Sequence, residues 1–297
     1  MDSSPASSNP RPNDAVPLTP AELPGGSFGR VQLPDGALDV PRIVPLPRTP
    51  RRASRSPEGT LGLDAESVDY FAHQHVTWTR LCGLQRDLVR ERCAPQYAAG
   101  RKLIDRFTHR IPTLSELDAW LARTTGWRVV RANGYVSPST FLALLADRRF
   151  PCMDLLRHAD ELFYSPEPDM YHDILGHLPM LCNRQFAEYY LTFGKAGARV
   201  RHPEQLRALN RIYWFTMEFG LLRSASGPLA YGAALLTGLG ELLSSSDASV
   251  MHRPFGIGAA IETPTDIHRT NEVLYLTPSF DVLLAEFVDW ARSECLL

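Results

Sequence analysis

Pro166-Glu167-Pro168-Asp169-Met170-Tyr171-His172-Asp173-Ile174-Leu175-Gly176-His177 is the stretch on which the reading of this chain turns. Two imidazoles stand five residues apart in a segment that carries helix-start signals. An α-helix turns about 100° per residue, so side chains five apart point roughly 140° away from each other. A straight helix cannot aim both rings at one ion, unlike the i, i+4 pair of an H-E-x-x-H zinc motif. Gly176 and Pro179 flank His177. The helix is therefore expected to end or tighten there, swinging that ring onto the face of His172. Further along, Glu218 lies in the apolar run Ile212-Tyr213-Trp214-Phe215-Thr216-Met217-Glu218-Phe219. A carboxylate in such a run is costly unless it is paired or bound to a metal. Two imidazoles and one carboxylate, with positions left open, are the ligand set of a non-haem ferrous centre. The same residues suit zinc, so ligand identity leaves the metal open. Two helix-end histidines and a glutamate paired to an arginine would hold no metal at all.

The rest of the chain sets bounds on this site. Of 24 prolines in 297 residues, 12 fall within the first 60, in a stretch rich in serine and poor in aromatics. That composition buries too little apolar surface to offset its ordering entropy, so residues 1–60 read as a disordered arm. The remaining residues, 61–297, are about 235 in number and enough for one sizeable core. A net charge of −2 gives no support for nucleic-acid binding. The basic cluster Arg48, Arg51, Arg52 and Arg55 falls in the arm and reads as a solvated linker. No run of 18 apolar residues exists, so no transmembrane helix is expected, and the N-terminus lacks the regions of a signal peptide. Five cysteines (Cys82, Cys93, Cys152, Cys182 and Cys295) form no C-x-x-C pair. Free thiols in odd number fit a reducing cytoplasm.

Helical periodicity dominates the folded part. From Ala65 to Cys93 apolar residues recur at helical spacing. Thr113-Leu114-Ser115-Glu116 is a capping box, and Ser137-Pro138 starts a helix carrying Phe141, Leu144 and Leu145. Ser165-Pro166-Glu167 reads as another start: a cap, a proline at the first helical position, then an acid. Helices are expected over 185–195, 204–219 and 230–243, with an amphipathic helix through Phe280, Leu283, Leu284, Phe287 and Ala291. Strand signals are limited to 259–262 and 273–276. The expected fold is mainly α, a single domain with one small sheet or hairpin.

At these residues the chain resembles the pterin-dependent aromatic amino acid hydroxylases in their compact bacterial form. The matching strings are Ser165 to Leu181 (SPEPDMYHDILGHLPML), Ile212 to Leu221 (IYWFTMEFGL) and Ala230 to Glu241 (AYGAALLTGLGE), with weaker similarity from Thr125 through Arg157 and over 273–280. Together they span roughly residues 65 to 290. The resemblance implies that His172, His177 and Glu218 bind Fe(II). It implies O2 and a tetrahydropterin (tetrahydrobiopterin or similar) as co-substrates, and a free aromatic L-amino acid as substrate. The chain's own residues are consistent with that chemistry. Placing one oxygen atom of O2 on an arene and the other in water needs two further electrons. No G-x-G-x-x-G follows a strand to cradle a flavin or nicotinamide, so the reductant must be small and diffusible.

Further roles follow from the resemblance position by position. Phe141 matches an aromatic that stacks on the pterin, Gly134 and Val136 match the loop along the pterin face, and Asp173 matches an acid reaching the pterin side of the iron. Arg157 matches the arginine that holds the substrate carboxylate, a task suited to a planar fork. Ser165, Pro166, Trp214 and Phe219 match walls of the amino-acid pocket. Thr237 and Glu241 match a serine and a glutamate supporting the first histidine and the substrate end. By residue type alone, Phe141, Trp214 and Phe219 would read as core. Cys152, Ser165 and Thr237 depart from the family pattern. The expected reaction is conversion of phenylalanine to tyrosine. Meta-hydroxylation of phenylalanine, or hydroxylation of tryptophan, is the alternative that Cys152 and the unusual N-terminal arm motivate, and a zinc hydrolase is the remote one. The expected state is a cytoplasmic monomer or weak dimer, without nucleic-acid or membrane partners.

Overall fold

The computed structural model describes residues 69–132, 136–162, 165, 168–246, 249–266 and 270–297. The arm over 1–60 and the site candidates Gly134 and Pro166 lie outside the described residues. The first described helix, Ala72–Val89, buries Trp78, Leu81, Cys82, Gln85 and Val89 along one stripe. The capping box forms as expected and opens the helix Leu114–Thr125. Thr113 Oγ1 accepts the Glu116 N–H at 3.2 Å, while Glu116 Oε2 accepts the Thr113 N–H at 2.9 Å. Gly126 closes that helix at φ 77°, a left-handed turn that favours a residue without Cβ.

Two short strands then lie parallel, β1 (Arg128–Ala132) and β2 (Arg149–Met153), joined by the helix Pro138–Ala146. Ser137 caps this helix as predicted, accepting the Thr140 N–H at 3.3 Å. A second, mixed sheet has the order β4-β3-β6-β5, built from β3 (Leu221–Leu222), β4 (Leu229–Ala230), β5 (Met251–Pro254) and β6 (Val273–Thr277). Strand β3 runs antiparallel to β4 and parallel to β6, which is also parallel to β5. The domain is mainly α as expected, but its small β component is two sheets rather than one. Only β6 was legible as a strand. Strands β3 and β4 are two residues each, β1 shows no regular alternation, and the middle of β2 is buried on both faces. The strand expected over 259–262 is instead part of the helix Ile257–Glu262. There Ile257, Ala260 and Ile261 follow i, i+3, i+4 and turn one face inward. The continuous helix expected over 230–243 is broken: Ala230 ends β4, and the helices Ala233–Thr237 and Leu239–Ser244 meet at Gly238.

The core organises around the helix Arg184–Gly197, which buries Phe186, Tyr189, Tyr190 and Phe193. It packs on the helix Pro138–Ala146 on one side and on the C-terminal helix Phe280–Ser293 on the other. Each large apolar side chain withdrawn from water there contributes about 1.5–3 kcal/mol. This central helix therefore fixes the β1–helix–β2 unit relative to the segment that carries the two histidines.

Candidate metal centre

The histidine segment begins as an α-helix at Met170, four residues beyond the expected proline start. Asp169 is the cap, and its Oδ1 accepts the His172 N–H at 3.1 Å. The same carboxylate is gripped by Arg157, through Nε at 3.0 Å, Nη2 at 2.8 Å and the backbone N–H at 2.7 Å. Burial works against the Arg157 charge, and Asp169 more than restores it, so the guanidinium is held above its ordinary range. Its Cζ also sits 4.7 Å from the centre of the Tyr171 ring. A buried, bidentate ion pair thus anchors the first turn of the histidine helix.

The helix neither ends nor tightens at His177; it widens. Asp173–His177 forms a π turn, and α geometry resumes over Leu178–Leu181. The Leu178 N–H reaches the Asp173 carbonyl, an i→i+5 bond that stacks residues five apart on one face. That wider turn, not a terminus, resolves the five-residue spacing. Pro179 explains part of it, because it has no N–H to offer the Leu175 carbonyl four residues back. The Tyr97 hydroxyl donates to that carbonyl instead, at 2.6 Å, and in turn accepts from Gln85 Nε2 at 2.6 Å. Gly176 allows the turn to lie against Ala233, whose Cβ would stand 2.8 Å from any Cβ placed there. Glu218 comes from a second π turn, Trp214–Glu218, closed by the Phe219 N–H on the Trp214 carbonyl at 2.8 Å.

The three predicted ligands converge. His172 Nε2 and His177 Nε2 are 3.0 Å apart, and Glu218 places Oε2 3.4 Å from the first and Oε1 3.3 Å from the second. Donors bonded to a common ion at roughly 2.0–2.2 Å need about this separation. The donor set therefore fits a divalent transition metal. Burial pushes the Glu218 carboxyl up, but the two imidazoles outweigh it and hold the group well below its ordinary range. Burial pulls His172 down, and Glu218 overcomes that to leave it raised. At His177 burial prevails and the ring is lowered. Asp173 also brings an oxygen within 4.8 Å of both rings. Its Oδ2, however, accepts the Met153 N–H at 2.7 Å, and burial raises the acid to about 7. Glu218 is the better third ligand.

These groups open onto a cavity of about 430 Å³ lined by Val136, Phe141, Asp173, His172, His177 and Glu218, together with Phe150, Pro168 and Tyr213. Three of the four residues expected on the pterin side thus share one chamber with the ligands. Among the described residues, the expected substrate residues do not line it. Arg157 is engaged with Asp169. Trp214 packs on Phe219 with ring centres 4.6 Å apart and donates Nε1–H to Asn271 at 2.8 Å. Thr237 lies behind His172, with Oγ1 3.0 Å from Nδ1. Glu241 stands on the next helix, where burial raises its acid to about 7. Ser165 lies outside any helix or strand. Cys152 is fully buried in β2 and is not among the residues that line the cavity. Sequence reasoning missed Asp169, Tyr97 and Tyr190. Asp169 had a readable signal, an acid three residues before His172, but the two tyrosines had none.

Fold and site together describe a mainly helical domain with a candidate mononuclear metal centre beneath an aromatic-walled chamber. A model of the family described as biopterin-dependent aromatic amino acid hydroxylase matches residues 58–294. Phenylalanine-4-hydroxylase of Vibrio cholerae is 34% identical over 217 residues, 73% of this chain and 75% of that one. The Pseudomonas aeruginosa phenylalanine-4-hydroxylase is 33% identical over 231 residues, 78% of this chain and 86% of that one. Phenylalanine hydroxylase of Chromobacterium violaceum, solved with iron(III) and 7,8-dihydrobiopterin, matches with a TM-score of 0.72 at 29% identity. That match covers 79% of this chain and 88% of the other. The chain belongs to the biopterin-dependent aromatic amino acid hydroxylases. Among the described residues, no helix is long and apolar enough to cross a membrane.

Proposed function

We propose that this enzyme hydroxylates the ring of free L-phenylalanine at the para position, giving tyrosine, with O2 and a tetrahydropterin. His172, His177 and Glu218 are the proposed Fe(II) ligands. The observation that carries the reading is their convergence to within 3.4 Å on the wall of the chamber that Phe141 lines. When bound, iron supplies the site at which O2 is activated with electrons from the pterin. The protein's share is placement and exclusion of water. Phe141 offers a flat face to the pterin ring, Val136 borders it, and Asp173, held by the Met153 N–H, presents its carboxyl to the same chamber. Thr237 fixes the His172 ring from behind. Arg157, oriented by Asp169, is the proposed anchor for the substrate carboxylate, with Ser165, Trp214, Phe219 and Glu241 around the substrate end. Gly134 and Pro166 complete the proposed set from outside the described residues.

Two measurements test this reading. Anaerobic reconstitution should load one Fe(II), and turnover with phenylalanine should give para-tyrosine with pterin-dependent O2 uptake. His172→Ala and Glu218→Ala should lose both iron and turnover while keeping the far-ultraviolet circular dichroism of the parent. Meta-tyrosine or a hydroxytryptophan as the main product would overturn the regiochemistry or the substrate. Full occupancy by zinc, with no O2 uptake on adding reduced pterin, would overturn the reaction class.

A further inference from the structure

Different hydroxyls stand behind the two imidazoles. Thr237 donates its one hydroxyl proton to the Ala233 carbonyl at 2.7 Å, so towards His172 Nδ1, 3.0 Å away, it can only accept. The proton of the His172 ring is thereby fixed on Nδ1, and the Nε2 lone pair is left for the centre. His177 Nδ1 faces the phenol of Tyr190 at 2.7 Å instead. Tyr190 is fully buried, its ring held edge-on by Phe186 at 5.2 Å and Trp127 at 6.1 Å between centres. Among the described hydrogen bonds, this phenol has no partner except His177.

We propose that Tyr190 is a positioning residue for the metal centre: its phenol oxygen accepts the Nδ1 proton of His177 whenever Nε2 is bound to a metal. The inference rests on His177 being a ligand. A metal-binding Nε2 must be a lone pair, which places the ring proton on Nδ1. That N–H is buried, and the phenyl ring of Phe150, packed beside the imidazole at 5.0 Å, offers it no oxygen. Without Tyr190 the donor would stand unpaired. In the metal-free ring the phenol can donate to Nδ1, so some hydrogen bond exists in both states. The bound state depends on it more, because the metal draws charge from the ring and makes Nδ1–H a stronger donor. Loss of the phenol should therefore appear as lost metal affinity. Tyr190 comes from the helix Arg184–Gly197, which packs on the helix bearing Phe141. The second histidine is thus braced by the same element that supports the chamber's aromatic wall.

Tyr189 is the natural control. It is equally buried, lies on the same helix, and its hydroxyl pairs with Thr216 at 3.0 Å rather than with an imidazole. Metal-free protein would be titrated with Co(II), following its visible absorption, and anaerobically with Fe(II) against a competing chelator. Tyr190→Phe should weaken both metals by about tenfold or more and shift the Co(II) bands. Tyr189→Phe should lose stability but keep parental affinity and spectrum. If Tyr190→Phe does not fold, Tyr190→Met, which fills the space without a strong acceptor, carries the same expectation. Affinity within about twofold of the parent, with unshifted bands, would overturn the role of Tyr190 alone. A parent chain that binds neither metal would sink the metal reading itself, and this inference with it.

Discussion

The π turns Asp173–His177 and Trp214–Glu218 perform the same task by different means. Each brings a proposed ligand to the candidate centre from a helix whose ordinary pitch would aim it elsewhere. The first is forced locally. Pro179 removes an α-helical donor, Gly176 admits Ala233, and the Tyr97 hydroxyl repairs the Leu175 carbonyl from another helix. The second contains neither proline nor glycine within its five residues. Its repair is internal: the Thr216 hydroxyl donates to the Ile212 carbonyl one turn back and accepts from Tyr189. Gly232 then lets the following chain cross the Glu218 carbonyl, 2.4 Å from where a Cβ would sit. A widened turn strains the helical ladder, and in both places a buried hydroxyl makes good the damage. The first turn depends on distant residues and should be the more fragile of the two.

That asymmetry can be broken experimentally, beginning at the entrance to the first turn. Asp169→Asn removes the charge that holds Arg157 and weakens the cap on His172. It leaves a buried guanidinium without its counterion, an error that costs about 3–5 kcal/mol. Chemical denaturation should show a loss of that order, and an unchanged midpoint would contradict the role assigned to the pair. Tyr97→Phe is next. It strips the Leu175 carbonyl of its hydroxyl partner and leaves Gln85 one acceptor fewer. Unpaired buried groups of this kind cost about 1–3 kcal/mol each. The expected loss is about 2–3 kcal/mol, with weaker Fe(II) binding because the His177 turn is loosened.

These predictions concern features that differed in how far they could be read from the chain. His172, His177 and Glu218 were legible because a carboxylate inside an apolar run and paired imidazoles are expensive unless they serve a site. The π turns were not, since the reading assumed α geometry and could only shorten the helix to reconcile five-residue spacing. Asp169 was overlooked in favour of Ser165-Pro166-Glu167, whose local capping chemistry is stronger than that of an acid followed directly by the helix. Strands β1 and β2 escaped notice because neither alternates: the sequence Arg128-Val129-Val130-Arg131-Ala132 has no period of two, and the middle of β2 is buried on both faces. Tyr97 and Tyr190 could not have been found by pattern. Each acts at the end of its side chain on a residue far off in sequence, and only packing of the whole core brings the two together.

A pH profile sharpens the comparison on the first turn's side. Glu241 stands on the helix Leu239–Ser244, which packs on Ala233–Thr237, the helix lying against the Asp173–His177 turn. Burial raises its acid to about 7. An acid raised in the folded state keeps its proton after the unfolded chain has lost one. Stability should therefore fall as pH climbs from the unfolded value, about 4.3, to about 7, and level off above that. Urea denaturation of metal-free protein across this window should show a decline on the order of 1–2 kcal/mol. Glu241→Gln should make the decline shallower, leaving the part owed to Asp173, which burial also raises to about 7; a slope that survives unchanged would assign it to Asp173 or another group.

The smallest effect belongs to the second turn. Thr216→Val keeps the shape of the side chain and removes the hydroxyl that bridges Ile212 and Tyr189. Because that bridge supplements a ladder in which Phe219 and Gly220 already donate back into the turn, the backbone need not rearrange. What remains is one buried phenol without its acceptor, worth about 1 kcal/mol. Fe(II) affinity should stay close to the parental value, since Glu218 itself is held by the two imidazoles rather than by Thr216. If Thr216→Val instead weakened iron as strongly as Tyr97→Phe, the two turns would be equally dependent on their hydroxyls. The contrast between a forced turn and a self-repaired one would then fail.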